Sequence, residues 1–105
     1  MPEEVKIEEV RAIDPSLLLV KGKSGENKQY IKNLSHAIIT VVTKHGYATL
    51  KCVGAAAINN AIKSITIASG EAKIKGVNLV VSPSFGEASF DNVEKTAIML
   101  SVYNR

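Results

Sequence analysis

The chain has 105 residues, 46% of them apolar and 22% charged, which suits one globular domain with a core of its own and excludes a multidomain enzyme or a low-complexity chain. One cysteine, Cys52, excludes an internal disulfide and fits a reducing, intracellular compartment. The net charge of +3 is unevenly spread: residues 1–16 hold five acids (Glu3, Glu4, Glu8, Glu9, Asp14) against Lys6 and Arg11, whereas residues 17–105 hold 11 bases against 5 acids. An acidic arm thus precedes a basic body, with sequence pI about 9.1. No run of 18 apolar residues exists, and the start MPEEVKIEEV has no apolar signal core, so neither a membrane span nor a secretory signal is expected.

The arm (1–16) has no clean period and ends at the turn signal Asp14-Pro15-Ser16. The domain proper is placed at 17–105. Leu17 to Lys21 reads as a first strand, followed by the polar, glycine-containing loop 22–27. Tyr30, Ile31, Leu34, Ala37, Ile38, Val41 and Val42 then fall on one helical face. Gly46 closes that helix, and Lys44 and His45 complement the dipole in its last turn. Ala48 to Val53 alternates with period two, a half-buried strand. A second helix is expected from Ala55 to about Ser69, with Gly70 near its end. Val77 to Ser82 reads as a third strand stopped at Pro83, residues 84–92 as a loop or hairpin tip, and Glu94 to Tyr103 as the last strand.

The order β-α-β-α-β-β with two apolar helix stripes implies a two-layer α/β (α+β) fold: both helices on one face of a four-stranded mixed sheet. The other face would carry Leu17 or Leu19, Val53, Val80, Met99 and Tyr103. That is apolar enough to call for cover by the arm, another protein or a second copy in a homo-dimer or tetramer.

The stretch Val53-Gly54-Ala55-Ala56-Ala57-Ile58-Asn59-Asn60-Ala61-Ile62-Lys63, running on to Gly70, resembles the stage V sporulation protein S family. Gly76-Val77-Asn78-Leu79, Pro83-Ser84-Phe85 and Glu94-Lys95-Thr96-Ala97-Ile98 are similar to the tail of that family. The resemblance implies an Alba-like fold and a non-catalytic, nucleic-acid-binding role, with DNA or RNA as partner, in a developmental or regulatory setting. The chain departs from the family pattern at Ser69, where an arginine is usual, and at Ala56 in the small-residue run. Its acidic arm is extra, and Glu87 and Asp91 stand at the hairpin tip where a DNA-reaching ribbon calls for bases.

Candidate phosphate contacts are Lys21, Lys23, Lys28 and Lys32 around the first loop, Lys63 on the second helix, and the backbone amides at the Gly54 helix start. Otherwise these lysines are ordinary solvated surface, since a binding protein needs a cluster and not a count. Asn59 and Asn60 sit early in a helix, where asparagine is poor unless partnered; they are assigned to an interface with Val80, Met99 and Tyr103, the plainer role being to satisfy a buried backbone group. His36, His45 and Cys52 have no metal-ligand spacing, so neither metal nor cofactor is expected, and Cys52 reads as a buried structural thiol. Gly22-Lys23-Ser24-Gly25 lacks phosphate-loop spacing, and no carboxylate pair is placed for acid–base work, so the chain is not expected to be an enzyme. Phe85 and Phe90 either close the hairpin onto its core or stack on bases. The competing function is a structural or scaffold subunit, for example of a cytoskeletal or ciliary assembly, in which the arm (1–16) meets a protein partner.

Overall fold

The computed structural model describes residues 15–22, 28–90 and 92–105, with Phe90 as backbone alone. Lys23, Asp91 and the arm up to Asp14 lie outside the described residues. The elements are β1 (Leu17–Val20), α1 (Lys28–His45), β2 (Tyr47–Cys52), α2 (Ala55–Ile74), β3 (Leu79–Phe90) and β4 (Val93–Asn104). The sheet order is β1-β2-β4-β3. β1 pairs with β2 in parallel, which needs a crossover, and α1 supplies it; the other pairings are antiparallel. This is the mixed sheet and element order expected from the periodicities.

The register sorts the sheet into two faces. Leu18 and Val20, then Ala48, Leu50 and Cys52, then Ile98, Leu100 and Val102 line up across β1, β2 and β4. They meet Leu34, Ile38 and Val42 of α1 and Ala57, Ala61, Ile65, Ala68 and Ala72 of α2 in one core. Alanines dominate the α2 stripe, so that helix can lie close to its neighbours.

Two boundaries differ from expectation. α2 does not end near Gly70 but runs five residues past Ser69, because Ala68 and Ala72 keep the buried stripe going. The stop is at Gly76, φ 79°, where Gly76 N–H donates to Lys73 O and Val77 N–H to Ala72 O, at 3.0 and 2.9 Å. This is a Schellman closure, in which the left-handed residue is best a glycine. Likewise Pro83 does not stop the third strand. β3 is an edge strand paired only with β4, and an edge tolerates a residue with no N–H to give. The pairing therefore runs on from Pro83↔Leu100 to Phe90↔Val93.

β2 ends at Cys52↔Ile98, so residues 86–90 and 93–97 leave the sheet as a two-stranded ribbon. Phe85 at its base is 80% exposed and does not close onto the core. Within the ribbon, a Cβ on Gly86 would lie 2.7 Å from Met99 Cγ, so the Met99 side chain is laid down over that glycine.

Candidate nucleic-acid interface

A polar junction at the end of β1 ties the Lys21 backbone to both helices. Tyr30, in the first turn of α1, accepts the Lys21 N–H on its hydroxyl at 2.7 Å. Asn60, 5% exposed on α2, donates to the Lys21 carbonyl at 3.0 Å. One peptide segment is thus gripped by a side chain from each helix. Gly22 completes the junction: a Cβ there would stand 3.1 Å from Ala57 N and 3.4 Å from Ala56 Cβ, so the loop backbone rests on the first turn of α2. Ser64, fully buried, bridges the helices with its one hydroxyl proton shared between Ile31 O at 3.1 Å and Asn60 O at 2.9 Å. Since Lys32 follows Ile31 and Lys63 precedes Ser64, both lysines flank this bridge.

The local electrostatics run against ordinary helix practice. A helix N-terminus carries partial positive charge and favours acidic residues. Neither α1 nor α2 has an acid in its first turn, and α1 begins on Lys28. Gly54, φ 91°, precedes α2 and offers no side-chain cap. Lys21, Lys28, Lys32 and Lys63 are all exposed. Among the described residues, then, the first turns of both helices lack an acid, and Lys21, Lys28, Lys32 and Lys63 are exposed at or within a few residues of the junction.

The remaining candidates divide. Asn60 is spent inside the fold on Lys21, so of the asparagine pair only Asn59 is exposed. Tyr103 is exposed on the open sheet face with Val80 half-buried beside it, whereas the Met99 side chain lies over Gly86 at the base of the ribbon. That face is less uniformly apolar than expected, because Thr49, Ser101 and Ser82 form a polar row across β2, β4 and β3. His36 faces Glu71 at 3.8 Å across the helices. Among the described residues no group of three metal-ligating side chains occurs, and no helix is long and apolar enough to cross a membrane. Sequence reasoning missed Tyr30. Its place on the apolar stripe was visible, but the bond from its hydroxyl to a segment nine residues back was not.

Fold and site together define a two-layer α/β protein in which both helices meet the end of β1 at Lys21 and Gly22. A family model described as Stage V sporulation protein S (SpoVS) matches residues 17–105. The chain belongs to that family.

Proposed function

We propose that this protein binds nucleic acid without catalysing a reaction, contacting phosphates through Lys21, Lys28, Lys32 and Lys63 and through the amides at the Gly54 start of α2. Lys23, next to the described junction in sequence, would add a fifth charge. The observation that carries this reading is the meeting, at Lys21, of two helices whose first turns hold no acid. A lysine at the start of a helix costs stability, and a local rule broken at an exposed corner is the mark expected of a binding site. The Alba-like resemblance points the same way. Contacts of this kind hold the backbone of DNA or RNA and carry little sequence readout. The open sheet face is covered by a second copy, giving a homo-oligomer that multiplies the contacts.

Fluorescence anisotropy with duplex DNA, single-stranded DNA and RNA over a salt series tests the reading. Binding should weaken linearly in log salt. Changing Lys21, Lys28, Lys32 and Lys63 to Ala should flatten the slope on duplex by about 0.9 for each phosphate no longer neutralised. Absence of binding at about 50 mM salt with all three ligands, where non-specific binders register at tens of micromolar, sinks it.

A second reading is favoured by the ribbon. Glu87 and Glu94 are exposed there, with Phe85 bare at its base. With these two carboxylates against the single described base Lys95, the ribbon suits a protein partner better than a phosphate, as a scaffold subunit would need, with the arm as a further point of attachment. It predicts a stable protein complex that dissociates on removing residues 1–16 or on Phe85→Ala.

A further inference from the structure

We infer that the Tyr30 hydroxyl donates a hydrogen bond directly to a bound phosphate oxygen. The inference rests on the nucleic-acid reading above and adds a neutral contact to a site otherwise made of lysines and backbone amides.

A phenol has one proton and two lone pairs. The 2.7 Å bond from Lys21 N–H occupies a lone pair of Tyr30, which fixes the oxygen as acceptor there and turns its proton elsewhere. Among the described residues no acceptor takes that proton. Accepting an amide N–H also polarises the O–H and makes it a better donor.

The surroundings say what such a donor meets. Its oxygen sits against Lys21, whose side chain is exposed, and the ring stands two residues into α1, whose N-terminus begins with Lys28 and has no acid in its first turn. Nothing anionic from these groups competes for the proton. The donor is also rigid. The ring packs against the hydrophobic core, and Asn60 holds the far side of the Lys21 segment, so the hydroxyl cannot swing away. A fixed donor held against the Lys21 backbone, next to an exposed lysine, suits a phosphate contact that costs little ordering on binding. The apolar role of the ring would be served equally by phenylalanine, which separates the hydroxyl's function from its packing.

Tyr30→Phe and Lys21→Ala, compared over a salt series with whichever nucleic acid the unaltered protein binds best, test this. A neutral donor releases no counterion, so Tyr30→Phe should weaken binding about three- to tenfold and leave the salt slope unchanged. Lys21→Ala should weaken binding and also lower the slope, by about 0.9 on duplex. If Tyr30→Phe lowers the slope as Lys21→Ala does, and adds nothing in the Lys21→Ala background, Tyr30 only positions Lys21 and direct donation is overturned. Unchanged affinity overturns it too. Failure of the unaltered protein to bind any nucleic acid removes the wider reading as well, a distinct result. Should the Phe variant not fold, the Lys21 amide resonance of the unaltered protein serves instead: it should shift on titration with the nucleic acid, and an unmoved resonance rejects the contact.

Discussion

Cys52 is fully buried on β2 beneath both helices, and burial alone pushes its thiol up to about 11 from an ordinary 9.0. The folded state keeps the thiol protonated at pH values where the unfolded chain would release the proton. Its stability contribution is therefore whole below about pH 9 and is lost as pH rises from 9 towards 11, by at most about 3 kcal/mol. Alkaline denaturation should begin in that window, and Cys52→Ala, which has no group to titrate, should show a flatter decline although it is less stable at neutral pH. Urea unfolding at stepped pH measures both. At neutral pH, alkylation of Cys52 should proceed only as fast as the protein opens. The buried place of Cys52 was legible in the alternation Ala48, Leu50, Cys52, since period two is a property of the strand itself. The grip of Asn60 on Lys21 was not, because it joins residues 39 apart in the chain and depends on which helix end meets which loop. Asparagine early in a helix announced that it needed a partner; only the tertiary arrangement chose one.

At the scale of elements, the two glycines near the end of α2 separate what pattern can and cannot locate. Gly70 lies inside the helix, and a Cβ there meets nothing within 4 Å. Gly76 has equal room but a φ of 79°, where an L side chain is strained. Gly70→Ala should therefore stabilise the protein by about 0.5–1 kcal/mol, through higher helix propensity and a less free unfolded chain. Gly76→Ala should destabilise it by about 1 kcal/mol. Chemical denaturation of the two variants should give shifts of opposite sign; a shared sign would mean the helix does not close at Gly76. Glycine as punctuation suggested Gly70, but the buried spacing of Ala68 and Ala72 decides in favour of the later site. Pro83 misleads for a related reason. A proline excludes a central strand, whereas the sheet order makes β3 an edge, and sheet order arises from long-range pairing that no local pattern contains. The helix stripe of α1 and the alternation of β2 survive intact because each records burial against a layer directly.

On the whole molecule, the proposed phosphate contacts, the ribbon carboxylates and the aromatic row of the open face occupy different places, with Lys51 the charged residue of β2 on that face. The basic corner gathers where β1 ends and both helices begin, the carboxylates Glu87 and Glu94 stand out on the ribbon, and the open sheet face turns away from both helices. On that face Tyr47, Tyr103 and Val80 lie abreast across β2, β4 and β3, with Tyr47 and Tyr103 exposed. Three neighbouring strands presenting aromatic and branched side chains in one row offer the patch that the proposed second copy would pair across a two-fold axis. A second copy placed there leaves the basic corners of both protomers free on the helix side, so the proposed oligomer and nucleic-acid site do not compete for surface. Sedimentation velocity should then show a dimer or tetramer for the unaltered chain, and Tyr103→Glu, which sets a carboxylate in each half of the patch, should shift it to monomer. The melting temperature of the unaltered protein should rise with its concentration and that of the variant should not, since only a mass-action assembly is stabilised by concentration. Nucleic-acid affinity of the variant should fall through reduced multivalency while the salt slope per protomer stays the same. A chain that sediments as monomer at every concentration removes the second copy from this face and leaves the aromatic row to a protein partner, as the scaffold reading requires.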